Sequence, residues 1–289
     1  MTAADDLLAP ARLSAERVER YLRRHGLRAR SSRSQNHLVD PEVLESIIAE
    51  AAPAPGRRVL EIGPGLGILT AALLEHGADV TAVEVDRRLV EHLRRRFAEP
   101  VGGSLRIIEA DVLDVPLAEL VEEPYDLVAN LPYHITSPVL HHTLGGERRP
   151  ERFVLMLQRE VAERIVAAPG AMSYLSVFVQ YHAAVRVALV VPPTAFEPAP
   201  EVESAVLVGQ TRARRLTPAA EEALWRLVQA GFRERRKMLH NVLPRQLPQV
   251  GRERFSAALA EVGIAPDRRP QTVSVEEWLA LAEALGALE

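Results

Sequence analysis

The sequence predicts an α/β protein in which a doubly wound, mostly parallel sheet is followed by a small all-α domain. Three observations carry that expectation. Short apolar runs alternate with helical patterns between residues 59 and 166, a β-rich stretch punctuated by prolines follows at 185–208, and from Thr217 onward only helical patterns remain.

Each element has its own signal. Ser14 can cap an amphipathic helix reaching Arg24, with Val18, Tyr21 and Leu22 on one face and Gly26 ending it. The polar stretch 31–37 reads as a loop. Asp40-Pro41 pairs a cap with a first-turn proline and opens a helix over Val43, Leu44, Ile47 and Ile48, which Pro53 and Pro55 break. Strands are expected at 59–62, 80–83, 105–108, 127–129 and 153–157, with helices at 69–74, 89–97, near Val139 and at 161–166. Residues 185–191 and 205–208 read as a closing antiparallel pair, separated by a loop stiffened by Pro192, Pro193, Pro198 and Pro200. Thr217-Pro218 opens the first C-terminal helix and 277–285 forms the last. The domain boundary falls at 212–217, which gives domains of 1–212 and 213–289.

Composition bounds the function. With 289 residues and 47% hydrophobic content, the chain can bury one large core and a smaller one. Charges interrupt the apolar residues throughout, so no run approaches the ~18 residues of a membrane span, and 1–6 carries acids where a signal peptide carries bases. A soluble cytoplasmic protein is expected. The absence of cysteine removes disulfides, thiolate metal sites and thiol nucleophiles together. The net charge of −4 is unevenly spread. Segment 12–33 sets eight Arg against Glu16 and Glu19, and 231–245 sets Arg233, Arg235, Arg236, Lys237 and Arg245 against Glu234, which leaves −14 on the rest. Two basic segments on an acidic protein suit nucleic-acid phosphates; helical faces that are merely solvated are the other reading.

Four motifs carry chemistry. Asn130-Leu131-Pro132-Tyr133 follows the apolar run 126–129 and sets an amide, a ring-constrained turn and an aromatic face at a strand's end. The amide carbonyl can accept the hydrogens of an exocyclic amine on a flat base, although an ordinary strand-end turn uses the same residue types. Glu61-Ile62-Gly63-Pro64-Gly65-Leu66-Gly67 ends one strand and opens a helix, where glycines let a ligand approach free N–H groups. A dinucleotide fingerprint would set its third glycine at position 68, which holds Ile, so the tighter spacing suits a nucleoside-sized ligand. Glu84 lies 21 residues after Gly63, where a carboxylate can accept both hydroxyls of a ribose. Asp111 either accepts from an adenine amine or caps a turn, and Asp114 reads as a helix cap.

In this order and spacing the motifs resemble the S-adenosylmethionine-dependent methyltransferases, and Asn-Leu-Pro-Tyr is the form found in adenine-N6 methyltransferases. Further segments narrow the resemblance: Gln35-Asn36-His37-Leu38, Gln158-Arg159-Glu160-Val161, the stretch Pro192-Pro193-Thr194-Ala195-Phe196-Glu197-Pro198 with Val202-Glu203-Ser204-Ala205-Val206, and Phe232 to Asn241 around Arg235-Arg236-Lys237. Spanning about 35–241, they resemble the small-subunit ribosomal RNA adenine N6,N6-dimethyltransferase family. The resemblance implies a Rossmann-like class I methyltransferase domain with a mostly parallel seven-stranded sheet, and a helical C-terminal domain that docks on the small ribosomal subunit.

Carried over residue by residue, Asn36 and Leu38 would line the methionine end of S-adenosyl-L-methionine, Gly63 and Gly65 would underlie it, Glu84 would hold the ribose, and Asp111 the adenine amine. Asn130 would meet both cofactor and target. Asn130 and Leu131 would accept the two N6 hydrogens of the target adenine, Pro132 would fix the turn, and Tyr133 would stack on a base turned out of its helix. Phe196 is the candidate for the opposite face of that base, with an ordinary core aromatic as the other reading. Arg30, Arg33, Arg235, Arg236 and Lys237 would meet RNA phosphates. His37 departs from the family's Phe at that position. The implied substrate is a pair of adjacent adenosines in the 3′-terminal hairpin of 16S ribosomal RNA, each methylated twice by a monomer without a metal or a membrane. A 23S ribosomal RNA methyltransferase of the macrolide-resistance type shares Asn-Leu-Pro-Tyr but not the proline-rich stretch or the longer C-terminal domain. A nicotinamide oxidoreductase would need the glycine at 68, and a non-enzymatic assembly factor would show a degraded cofactor site.

Overall fold

The computed structural model describes residues 8–9, 13–27, 36–99, 102–286 and 288. In chain order the elements are α1 (Ala15–Arg24), β1 (His37–Leu38), α2 (Pro41–Ala51), β2 (Arg58–Ile62), α3 (Ile68–Glu75), β3 (Asp79–Glu84), α4 (Arg87–Arg96), β4 (Leu105–Glu109), α5 (Leu117–Leu120), β5 (Asp126–Asn130), α6 (Thr136–Gly145) and β6 (Arg152–Gln158). There follow α7 (Arg159–Ile165), α8 (Tyr174–His182), β7 (Ala183–Val191), β8 (Phe196–Glu197), β9 (Ser204–Thr211), α9 (Pro218–Phe232), α10 (Leu239–Gln246), α11 (Arg252–Glu261) and α12 (Val275–Leu285).

Seven strands form one sheet in the order β4-β3-β2-β5-β6-β9-β7. The pairs from β4 to β6 are parallel and β9 runs antiparallel to β6. Parallel strands covered on both faces need continuous apolar runs, which is why the centre of β6, Phe153 to Leu157, is buried throughout. The chain moves outward from β2 through β3 to β4, then returns to place β5 on the other side of β2. Beyond the carboxyl ends of β2 and β5 the connections diverge, and in open α/β sheets ligands bind in that crevice.

The local signals account for the helix starts. Ser14 accepts the Arg17 N–H, Asp40 accepts the Glu42 and Val43 N–H groups, and Thr217 accepts the Ala220 N–H. His37, expected in a loop, instead lies in β1, which pairs antiparallel with β8 so that His37 faces Glu197 and Leu38 faces Phe196.

Contacts divide the chain discontinuously: one unit comprises Met1–Ala162 with Arg186–Thr211, the other Glu163–Val185 with Arg212–Glu289. The linear division at 212 and 213 therefore differs for one segment. The helix α8 sends Val177 and Tyr181 into a core with Leu224, Leu227 and Trp278, and so belongs with the C-terminal helices. No helix among the described residues is long and apolar enough to cross a membrane.

Candidate active site

Beyond the carboxyl ends of β2, β3 and β5 lies a cavity of about 210 Å³, against the ~10–15 Å³ that a single water needs, so it admits a multi-atom ligand. Asn36, Leu38, Gly63, Gly65, Glu84 and Asp111 line it, as do Asn130, Leu131, Pro132 and Tyr133. Residues from five separate segments of the sequence thus line one cavity. Fold topology explains the meeting of two of them: β2 and β5 are neighbours, so a Cβ on Gly63 would sit 3.7 Å from the Pro132 ring.

The glycine turn is tied to Glu84. Gly65 takes φ +58°, a left-handed conformation that favours glycine, and donates its N–H to Glu84 Oε2 at 3.3 Å, while Asp86 donates to Oε1 at 2.9 Å. One carboxylate at the end of β3 therefore fixes the loop that follows β2. Gly67, at φ +77°, begins α3, and a Cβ there would lie 2.6 Å from the Phe97 ring and 2.8 Å from Leu93. Its role is close packing of α3 on α4, separate from ligand contact. Burial pushes the Glu84 carboxyl upward, and the two backbone N–H bonds oppose that shift.

Glu61, at the end of β2, is a cavity residue that the motif contained but sequence reasoning did not single out. It is 1% exposed and accepts from Thr70 Oγ1 at 2.6 Å. Burial raises its pKa to about 8, the Thr70 bond and the Arg96 charge acting against the rise and the Glu84 charge with it. The folded protein therefore holds a proton that the unfolded chain releases near 4.5, so stability present below pH ~4.5 is lost as pH rises toward about 8. Glu61→Gln is expected to flatten that decline in a thermal-unfolding series from pH 5 to 8.5. An unchanged slope would move its origin elsewhere.

The Asn-Leu-Pro-Tyr segment is held by polar contacts on both sides. Asn130 donates Nδ2 to the Asn36 carbonyl at 3.3 Å, which commits Oδ1 to the acceptor role. Tyr133 shares a hydrogen bond with Ser204 Oγ at 2.8 Å and another with the Asn36 side chain. Asn36 thus reaches both functional side chains. Ser204 is fully buried at the start of β9, and its place in the Val-Glu-Ser-Ala-Val segment was the sequence signal available for it. His37, buried beside Gly65, has its pKa lowered to about 4 by burial, so its ring is neutral and fills space as the family's Phe would.

Some expected residues lie elsewhere. Phe196 is 3% exposed, packs in the large core with Leu38 as its strand partner, and does not line the cavity. To stack on a base it would have to leave that core. Asp114 caps no helix, since Pro116 precedes α5; Asp111 instead accepts the Leu113 N–H at 3.0 Å while lining the cavity. Arg235, Arg236 and Lys237 are exposed in the turn between α9 and α10. Arg30, Arg33 and Gln35 lie outside the described residues.

The crevice sets an acid at the end of β3 beside two tight glycines and lacks the third glycine of a pyrophosphate-binding turn, a lining that suits a nucleoside-sized ligand. With Asn130 on the same lining, the fold and site define the S-adenosylmethionine-dependent methyltransferases of the Rossmann-like class I kind. The profile of the family described as ribosomal RNA adenine dimethylase matches residues 26–286, and the chain belongs to that family. It is accordingly an enzyme, a ribosomal RNA adenine dimethyltransferase, and its methyl donor is S-adenosyl-L-methionine.

Curated relatives agree along their whole lengths. Ribosomal RNA small subunit methyltransferase A of Thermosynechococcus vestitus is 42% identical over 272 residues, covering 91% of this chain and 99% of the relative. That of Anaeromyxobacter sp. (strain K) is 43% identical over 278 residues, covering 92% and 96%. Among solved structures, a dimethyladenosine transferase from Plasmodium falciparum gives a TM-score of 0.74 at 24% identity, covering 85% of this chain and 95% of that one, a likeness of fold. The 23S rRNA methyltransferase ErmE gives 0.69 at 29% identity, covering 86% and 99%.

Proposed function

We propose that this enzyme dimethylates N6 of two adjacent adenosines in the 3′-terminal hairpin of 16S ribosomal RNA within the small ribosomal subunit, acting in the cytoplasm as a monomer. The observation that carries the substrate is the set of relatives above 40% identity, spanning more than nine-tenths of both chains and named for the small subunit. Similarity to the 23S rRNA enzyme is lower, at 29%.

The geometry supports a division of labour among the lining residues. Asn36 and Leu38 take the methionine end of the cofactor, Gly63 and Gly65 its underside, Glu84 the ribose hydroxyls and Asp111 the adenine amine. When bound, S-adenosyl-L-methionine supplies an electrophilic methyl on a sulfonium. The target N6 is a poor nucleophile because its lone pair is delocalised into the ring. Asn130 Oδ1 and the Leu131 carbonyl, which has no hydrogen-bond partner among the described residues, accept the two N6 hydrogens. Those bonds favour the pyramidal nitrogen, aim its lone pair, and stabilise the positive charge that develops on attack. No general base of matched pKa is needed, because the nitrogen becomes acidic once alkylated. Tyr133 stacks on the base, its ring fixed by the Ser204 hydrogen bond.

Arg235, Arg236 and Lys237, exposed and without side-chain partners among the described residues, meet RNA phosphates in this reading. Arg235→Glu with Arg236→Glu is expected to weaken RNA binding and to reduce the slope of log affinity against log salt by about 2. A wild-type slope would remove these residues from the interface. The assignment itself is tested by incubating the protein with labelled S-adenosyl-L-methionine and, in parallel, immature small subunits and large-subunit RNA, then mapping the modified nucleotides. Dimethyladenosine in the 16S hairpin is expected; label confined to 23S RNA would overturn the reading.

A further inference from the structure

The C-terminal turns of α1 and α4, both basic, are brought together by a seam of rings. Tyr21 on α1 stacks on His25, which ends that helix, with ring centroids 4.2 Å apart. The Tyr21 hydroxyl lies 3.3 Å from Nε2 of the buried His92 on α4, and the His25 and His92 rings are 5.8 Å apart. This aromatic and imidazole seam fixes the last turn of α1 against the second half of α4. Arg23 and Arg24 occupy the last turn of α1, and Arg94, Arg95 and Arg96 that of α4.

Arg96 is committed inward, donating to the Leu66 and Leu8 carbonyls. The other four arginines are exposed, with no carboxylate partner among the described residues. Acids on these helices pair elsewhere: Glu16 with Arg20, Glu91 with Arg87 and Asp86 with Arg88. Glu19 on α1 and Glu99, three residues after α4, have no ion-pair partner among the described residues.

A helix C-terminus carries roughly half a negative charge, so one cation at each end would complement its dipole. Here four arginines that no described ion pair uses lie in the last turns of these two helices, and a polyanion would offset their mutual repulsion. The local field is visible in His25, whose pKa is lowered by burial and then by the charges of Arg24 and Arg95, from both helices at once.

We infer that Arg23, Arg24, Arg94 and Arg95 form a second RNA-docking surface on the cofactor-binding unit, one that grips the phosphate backbone of ribosomal RNA. Arg adds bidentate geometry to the charge, which matches phosphate oxygens better than an ammonium does. Contacts of this kind to phosphate oxygens position an RNA and carry no sequence information of their own. It is continuous in sequence with the basic segment that runs on to Arg33. The inference rests on the proposed small-subunit reading only for the choice of probe.

The test uses the full chain with Arg23→Ala/Arg24→Ala and Arg94→Ala/Arg95→Ala as separate double variants. Binding to unmethylated small ribosomal subunits is measured between 50 and 200 mM salt, with S-adenosyl-L-methionine affinity as the control for folding. Each pair is expected to lower affinity about tenfold or more and to reduce the salt slope by 1 to 2, leaving cofactor affinity unchanged. Wild-type affinity and slope in both variants would overturn the inference. So would weakened binding to intact subunits together with wild-type binding to protein-free 16S RNA, since the partner would then be a protein. Failure of the unaltered enzyme to methylate these subunits would instead sink the substrate assignment, and the two failures are read on different samples.

Discussion

Asn130→Ala is expected to lower the single-turnover rate of methyl transfer by about 10²–10³-fold, while the dissociation constant of S-adenosyl-L-methionine changes by less than about tenfold. The side chain's described bond is a single, rather long contact of 3.3 Å to the Asn36 carbonyl, worth on the order of 1 kcal/mol, so its removal should leave the fold intact. The lost acceptor matters at the moment when N6 rehybridises and acquires charge, which is why the deficit should appear in the rate and spare binding. Asn130→Asp separates two explanations. It keeps acceptor oxygens but cannot donate to Asn36, and it sets an anion against that carbonyl. If Asp is as slow as Ala, orientation by Asn36 is the essential contribution; if Asp retains part of the rate, acceptance is. Unimpaired transfer by the Ala variant would remove Asn130 from the chemistry.

What the sequence made legible follows from how each residue acts. The parallel strands announced themselves because burial on both faces demands continuous apolar runs, and Gly63, Glu84, Asp111 and Asn130 were found because a strand end is marked by the change from apolar to special residues. The helix α8 was missed for the opposite reason. Leu175 to Val179 is buried at every position and includes two valines, so it shows no helical stripe, and its capping box pairs Ser173 with Ser176 where an acid or amide is usual at the second position. The pairing of β1 with β8 involves two residues from each strand, too few to show any period. Phe196 illustrates a limit of motif reading: its flanking prolines mark a constrained loop, but whether the ring points to solvent or core depends on that pairing with Leu38. Glu61 was overlooked because its importance lies in being fully buried, a property of the packed sheet and α3 together.

Glu84→Ala is expected to weaken S-adenosyl-L-methionine binding by about 100-fold or more, measured by calorimetry, with a much smaller effect on the rate at saturating cofactor. Two hydrogen bonds from ribose hydroxyls to a carboxylate are worth roughly 1.5–3 kcal/mol each, and the same carboxylate holds the Gly65 and Asp86 N–H groups that shape the loop. Ribose sits apart from the reacting nitrogen, so its grip is made equally in ground and transition states and its loss raises KM more than it lowers kcat. The pH dependence sharpens the test. Burial raises the folded-state pKa of Glu84 above its unfolded value, so the apo protein loses stability as pH climbs between the two. Cofactor affinity moves the other way, since the ionised form offers two strong acceptor oxygens to the two hydroxyls and the protonated form does not. Opposite slopes over one window identify Glu84 in particular, provided the series is run on Glu61→Gln, because Glu61 titrates near 8 and adds its own loss of stability. Glu84→Gln should abolish both slopes together. Should the Ala variant bind the cofactor as tightly as the wild type, Glu84 would be a scaffold for Gly65 alone and the ribose would be held by other groups.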